Sequence, residues 1–230
     1  LKIFMSGGIS TPSDPIWSLQ FADEEIAAIV DEARRRRTYV AAHAYTAESI
    51  ERAVRFGVRS IEHGNLIDAK TASIVAQHRA FVVPTLVTYD ALERYGADAG
   101  APAHTLAKLA EVKENGLTAI ELCRAAGVQL GFGTDLLGSL HHLQRDEFRL
   151  RSAVETPFEV LRAATSTNAA LLQMEGRLGV IAPGSFADML VIEGNPLEDI
   201  ALLATDSQAI LQVWSRGKLV APTNAVYVLN

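Results

Sequence analysis

Short apolar runs alternate with amphipathic stretches from the start of the chain to about Gly176, and this alternation constrains the fold more than any other feature. Runs at residues 2–5, 39–44, 60–62, 81–83 and 129–133 have the length and composition of buried strands. The segments between them carry helical signals. Asp23 reads as an N-cap ahead of Ile26, Ala27, Val30 and Ala33 on one face, and Thr46 opens a helix carrying Ile50, Ala53 and Val54. Asp68 opens a third helix, and a single long one is expected over residues 103–126. Thr156-Pro157-Phe158-Glu159 has the pattern of a capping box with proline at the first helical position.

Strands that each lead into a helix imply repeated βα units and a parallel sheet. A small Rossmann-like sheet is one solution, but neither G-x-G-x-x-G nor G-x-x-x-x-G-K-[ST] follows any candidate strand. A (β/α)8 TIM barrel is the other. A complete barrel takes about 250 residues, so residues 1–176 would supply only its C-terminal part, about strands 4–8. The opening Leu1-Lys2-Ile3-Phe4-Met5 reads as the middle of a buried strand, in keeping with an N-terminally truncated fragment and leaving any signal peptide open. Beyond Gly176 the character changes. Residues 178–192 and 209–220 are β-rich and punctuated by Gly179, Pro183-Gly184, Gly194-Asn195-Pro196 and Gly217. Two domains are therefore expected, a partial barrel over 1–176 and part of an appended small β-sandwich over 177–230.

Composition narrows the function classes. The 230 residues are 49% hydrophobic and 21% charged, which excludes a disordered chain. Twenty-one basic against 27 acidic residues give a net charge of −6, offering no electrostatic reason to bind nucleic acid or an anionic membrane. One cysteine, Cys123, excludes an internal disulfide framework and a Cys-rich zinc site. No apolar run approaches the ~20 residues that span a bilayer. A cytoplasmic protein is the expectation. The basic run at 34–37 suits the solvated C-terminal end of a helix.

The chemistry lies in where the histidines and acids fall. His43 ends the run Val40-Ala41-Ala42, His63 follows Ser60-Ile61-Glu62, and Asp135 ends Gly131-Phe132-Gly133-Thr134. In a parallel barrel all three face the C-terminal mouth, where barrel enzymes place catalysis. Taken singly, each has a plain structural role, a hydrogen-bonded strand-end histidine or an Asx turn. Those roles predict no common position, whereas a divalent metal site does, with zinc the leading candidate for imidazole and carboxylate donors. Tyr45 and Tyr89 follow strands and are open to two readings, substrate contact or aromatic packing at the rim. His141 and His142 lie close behind the last strand. Adjacent helical residues diverge by about 100°, so at most one of them faces a substrate. His78 and His104 fall in helical stretches and are expected at the surface, and Cys123 in the core. No G-x-S-x-G elbow supports a serine hydrolase.

These residues resemble the amidohydrolase superfamily. The resemblance rests on Lys2-Ile3-Phe4-Met5-Ser6-Gly7-Gly8, Ala42-His43-Ala44-Tyr45-Thr46, Ile61-Glu62-His63-Gly64 and Gly133-Thr134-Asp135. The C-terminal run Gly179-Val180-Ile181-Ala182-Pro183-Gly184-Ser185-Phe186-Ala187-Asp188 is similar to that superfamily's appended β domain. Ser13-Asp14-Pro15, residues 84–90 and Gly194-Asn195-Pro196 are similar to its imidazolonepropionase-like and Xaa-Pro dipeptidase (prolidase-like) branch. The resemblance implies a metal-dependent hydrolase with two divalent metal ions, usually Zn2+. It places the metal ligands at Lys2 (as a CO2-derived carbamate), His43, His63 and Asp135, with Asp135 also the general acid/base. It implies cleavage of a C–N bond in a small dipeptide or N-acyl amino acid, with Tyr45, Tyr89 and His141 as candidates for gripping the substrate.

One departure stands out. The superfamily's H-x-H pair occurs nowhere in these 230 residues, so the fragment alone is expected to be inactive and the longer protein a hydrolase. A cyclic amidohydrolase of imidazolonepropionase type is an alternative within the class. A non-catalytic scaffold relative is an alternative outside it, although a scaffold has no reason to keep Lys2, His43, His63 and Asp135 together. The expected partner is a small-molecule or dipeptide substrate, with self-association into a homo-oligomer left open.

Overall fold

In a computed structural model, residues 1–222 are described; residues 223–230, the end of the expected β domain, lie outside the described residues. The chain divides into two compact units, Leu1–His141 and His142–Asn230.

The first unit is built on five parallel strands in sequential order, β1 (Lys2–Phe4), β2 (Ala41–Thr46), β3 (Ser60–Leu66), β4 (Phe81–Val83) and β5 (Gln129–Leu130). Helix α1 (Asp23–Arg35) links the first pair, α2 (Ala47–Arg55) the second and α3 (Ala69–Gln77) the third. Three helices lie between the last two strands: α4 (Leu86–Tyr95), α5 (Ala103–Lys113) and α6 (Gly116–Ala126). Helices α2, α3 and α6 pack side by side, with α2 and α6 also against the sheet. The central strands β2, β3 and β4 are buried along nearly their whole length, as a sheet covered by helices requires.

Local chemistry explains the helix starts. Thr46 and Asp68 cap α2 and α3 by accepting from the amides of Ser49 and Thr71. At α1 the expectation is corrected by one residue: Asp23 is the first helical residue, and the preceding Ala22 donates its amide to the Glu25 carboxylate. The long helix expected over 103–126 is two helices broken at Glu114–Asn115. The break delivers Gly116 against Leu86, whose Cδ2 would be 2.6 Å from a Cβ at that position.

The second unit contains three short α-helices, α7 (Asp146–Arg151), α8 (Pro157–Arg162) and α9 (Asn168–Leu171), followed by an antiparallel sheet. Its strands are β6 (Met189–Ile192), β7 (Ile210–Ser215) and β8 (Lys218–Pro222), in sequential order. The Thr156–Glu159 capping box forms in both directions, with Pro157 at the start of α8. Of the β-rich stretch 178–192, only the last four residues form a strand of the described sheet. In α7, Arg151 is fully buried and its guanidinium pairs bidentately with Glu155 at 2.5 and 2.7 Å. No helix among the described residues is long and apolar enough to cross a membrane.

Candidate active site

The site lies along the parallel strands of the first unit and the loop after the last of them: Lys2 opens β1, His43 and His63 lie within β2 and β3, and Asp135 follows β5 by five residues, which corrects the strand-end positions expected for the last three. In register, Lys2 stands beside Ala41, Phe4 beside His43 and His43 beside Glu62. Alternation along β1 puts Lys2 and Phe4 on the same face as His43, and the Phe4 and His43 rings meet with centroids 4.9 Å apart. Tyr45, two residues on from His43, lies on the same face, and the pairing of β2 with β3 shifts around it, between Ala44 and Thr46.

His43 and His63 are both buried, with ring centroids 4.6 Å apart and edge to face. Tyr45 stacks on His63 at 5.1 Å and meets His43 edge-on at 4.7 Å. Behind it lies Tyr89, with the two hydroxyls 3.3 Å apart. Both tyrosines are fully buried and join Ile9, Ile16, Leu109 and Val112 in one apolar cluster. Asp135 is more open, its side chain 58% exposed, and its Oδ2 lies 4.0 Å from His63 Nε2. His63 and Asp135 both adopt left-handed backbone, with φ of 78° and 50°. Such conformations are uncommon in residues other than glycine and concentrate where a side chain must be aimed.

Each imidazole is anchored through a different ring nitrogen. His43 Nε2 meets the Gly7 carbonyl at 3.3 Å, and His63 Nδ1 meets Thr85 Oγ1 at 2.8 Å. If each anchored nitrogen carries the ring proton, the lone pair lies on Nδ1 of His43 and Nε2 of His63. The anchors are themselves held. Gly7 needs to be glycine, because a Cβ there would come within 2.0 Å of the Pro15 carbonyl oxygen. Thr88 Oγ1 donates to the Asp135 carbonyl at 3.1 Å and braces its backbone.

Burial decides the protonation of this cluster. It pushes His43 down to about 4, a fall partly opposed by the Gly7 carbonyl and reinforced by the Lys2 charge. His63 is driven well below the ordinary imidazole range by burial, then by His43 and Lys2. Both rings are therefore neutral at pH 7, the form that ligates metals. Burial raises Asp135 and Glu62 above the usual carboxylate range, while Lys2 pulls both back. Burial likewise raises the Tyr45 and Tyr89 phenols, so both remain protonated donors.

Among the described residues no three His, Cys, Asp or Glu side chains form a ready metal cluster. The donor chemistry nevertheless suits a divalent ion. Two neutral imidazoles are each held at one ring nitrogen by an outer oxygen, as metal-ligating histidines usually are. His141 is exposed, in a 3-10 turn over Gly138–Leu143, and His78 is exposed at the end of α3. His104 is half-buried and its Nε2 meets the Ser10 carbonyl at 3.2 Å, so it braces the loop after β1. Cys123 is buried, as expected. Sequence reading missed Thr85, Thr88 and Lys108. The Lys108 ammonium reaches the carbonyls of Gly8, Thr11 and Asp14 at 3.2, 2.6 and 2.5 Å.

A helix-covered parallel sheet that gathers an ammonium, two neutral imidazoles and a carboxylate from successive βα units has the layout of an α/β enzyme. The model of the Amidohydrolase family matches residues 1–220, and the chain belongs to that family. It is 29% identical over 220 residues to ochratoxinase of Aspergillus niger, covering 95% of this chain and 45% of that protein. Among solved structures, a prolidase complexed with N-methylphosphonate-L-proline is 51% identical with a TM-score of 0.93, over 95% of this chain and 54% of that one. A Xaa-Pro dipeptidase with methionine bound in its active site is 31% identical with a TM-score of 0.85, over 95% of this chain and 53% of that one. The chain thus spans about half the length of the relatives it matches.

Proposed function

We propose that the chain is the strand 4–8 portion of a (β/α)8 barrel hydrolase, residues 1–176, followed by part of a small β-sandwich, residues 177–230. Its reaction is hydrolysis of the C–N bond of a dipeptide or N-acyl amino acid. One observation carries the reading: His43, His63 and Asp135 come together within reach of the Lys2 charge, in a chain 51% identical to a prolidase.

Divalent metal ions, with zinc the best match to imidazole donors, would supply Lewis acidity and a water of lowered pKa. His43, His63 and Asp135 would hold them, together with Lys2 once carboxylated by CO2, which converts an ammonium into a two-oxygen anion. Asp135 accepts a proton as water oxygen bonds to the amide carbon. It returns that proton to the amine nitrogen as the C–N bond breaks, so the carboxylate is regenerated. Tyr45 and Tyr89, both closed off from solvent, would back the imidazoles rather than grip the substrate, which leaves the exposed His141 as the candidate for that contact.

The test uses the full-length protein and a series of Xaa-Pro dipeptides and N-acyl amino acids. Asp135→Asn is expected to lower kcat by about 10²- to 10⁴-fold with an unchanged circular dichroism spectrum; near-normal turnover would remove Asp135 from the mechanism. Elemental analysis is expected to find about two divalent ions per chain, and a metal-free protein of full activity would overturn metal dependence.

A further inference from the structure

We propose that Thr85 is a positioning residue that accepts from Nδ1–H of His63, fixes that tautomer and presents the Nε2 lone pair to the ligand side of the site. What Nε2 is presented to rests on the hydrolase reading above; the positioning itself stands on geometry.

Thr85 occupies the N-cap position of α4, where a threonine hydroxyl ordinarily accepts from a first-turn amide and contributes about 1 kcal/mol. Thr46 and Thr156 do this at the same position of α2 and α8. Thr85 makes no such bond. The Thr88 amide is met by the Thr85 carbonyl instead, at 3.3 Å. The hydroxyl is diverted to His63 Nδ1 at 2.8 Å, in surroundings where Thr85 is 3% and His63 5% exposed. A helix cap has been given up for a contact to one imidazole.

The direction of that contact follows from its neighbours. A threonine hydroxyl has one proton to donate. Thr85 Oγ1 lies 3.5 Å from the Tyr89 hydroxyl, and Tyr89 donates to Tyr45 at 3.3 Å. With its proton turned to Tyr89, Thr85 meets His63 as an acceptor. The ring proton then sits on Nδ1, and the Nε2 lone pair points to the side where Asp135 Oδ2 lies, 4.0 Å away. The chain of hydroxyls also leaves the Tyr45 proton as its free end. One turn of one helix thereby sets the donor or acceptor state of two site residues from two different strands. Thr88, in the same turn, braces a third, Asp135.

The experiment is proton–nitrogen correlation spectroscopy on the full-length protein as isolated, with nitrogen-15 in its histidines, alongside steady-state kinetics. Wild type is expected to show a slowly exchanging Nδ1–H resonance, assigned by its disappearance in His63→Asn. Thr85→Val keeps the side-chain shape and is expected to lose that resonance, with kcat lowered about 10- to 100-fold, the usual cost of an outer anchor on a ligating histidine, and KM unchanged. Thr85→Ser is expected to keep both. A resonance that persists in Thr85→Val, or a wild-type His63 protonated on Nε2, would overturn the proposal. Should Thr85→Val fail to fold, Tyr89→Phe removes the acceptor for the Thr85 proton and keeps the ring that meets His63 edge-on. A shifted Nδ1–H resonance there supports the chain, and an unmoved one overturns it. If no dipeptide is cleaved by any form, the hydrolase reading fails while the resonance still decides the role of Thr85.

Discussion

Lys108 is a side chain whose removal has a calculable and local consequence. Its ammonium, on α5, is the common donor to three carbonyls of the loop after β1, those of Gly8, Thr11 and Asp14. Lys108→Met keeps the length of the side chain and takes away the charge. A hydrogen bond to a charged group contributes roughly 1.5–3 kcal/mol, and the three are not additive. The Gly8 contact is long, and the half-buried setting lets water reach part of the cage, so we expect a loss of about 2–3 kcal/mol confined to the loop. The assay is native-state hydrogen exchange of the loop amides, Gly7 bonded to the Ser18 carbonyl and Ser18 bonded to that of Pro15. At 1.4 kcal/mol per factor of ten, their exchange should quicken about 30- to 140-fold. The amides of α2 and α3 should not change. Unaltered loop exchange, or equal acceleration throughout the unit, would refute the idea that the ammonium holds this loop.

Gly7→Ala would force a methyl group to within 2.0 Å of the Pro15 carbonyl oxygen, and we expect a loss of about 1–3 kcal/mol in a urea titration; a wild-type midpoint would contradict the close approach. Arg151→Met strands the Glu155 carboxylate, whose side chain is 2% exposed, at a cost of about 3–5 kcal/mol, and a midpoint unchanged from wild type would show that the pair is not buried. At Asp68, the Thr71 amide holds the carboxyl below its ordinary 3.8. Its contribution is therefore complete above that pH and is lost as pH falls through the lowered value. The stability gap between wild type and Asp68→Asn should close on acidification, and parallel curves from pH 7 to pH 2.5 would refute the assignment.

What the sequence disclosed and what it concealed divide along the range of the interactions. Strand 81–83 was legible as a short apolar run, and the caps at Thr46, Asp68 and Thr156 because an oxygen-bearing side chain directly precedes an apolar face. Asp23 was misplaced because three acids in a row, Asp23, Glu24 and Glu25, give no local way to tell which one serves the helix end. The break at Glu114–Asn115 had a local signal in the dipeptide Asn115-Gly116, which the reading overlooked; what the sequence could not show is the close approach of Gly116 to Leu86 and Asn65. The βα rhythm assigned His43, His63 and Asp135 to successive βα units, but not to their places in the strands: β2 and β3 run on past the two histidines to Thr46 and Leu66, and β5 stops at Leu130, five residues before Asp135. Thr85 and Lys108 carry no motif: one acts on a residue 22 positions away, the other on carbonyls 94 to 100 positions away. For Tyr45 and Tyr89 the chain order indicated the neighbourhood, but only packing reveals that both are closed off from solvent.

The left-handed backbone at His63 and Asp135 sets folding against chemistry at two positions. A β-carbon in that conformation costs on the order of 1–2 kcal/mol, and glycine at either place would relax the chain while deleting an imidazole or a carboxylate. A sequence selected for foldability alone would drift toward glycine there. Variants recovered purely by resistance to heat or urea should accordingly be enriched at these two codons, and those survivors should be the least able to turn over a substrate.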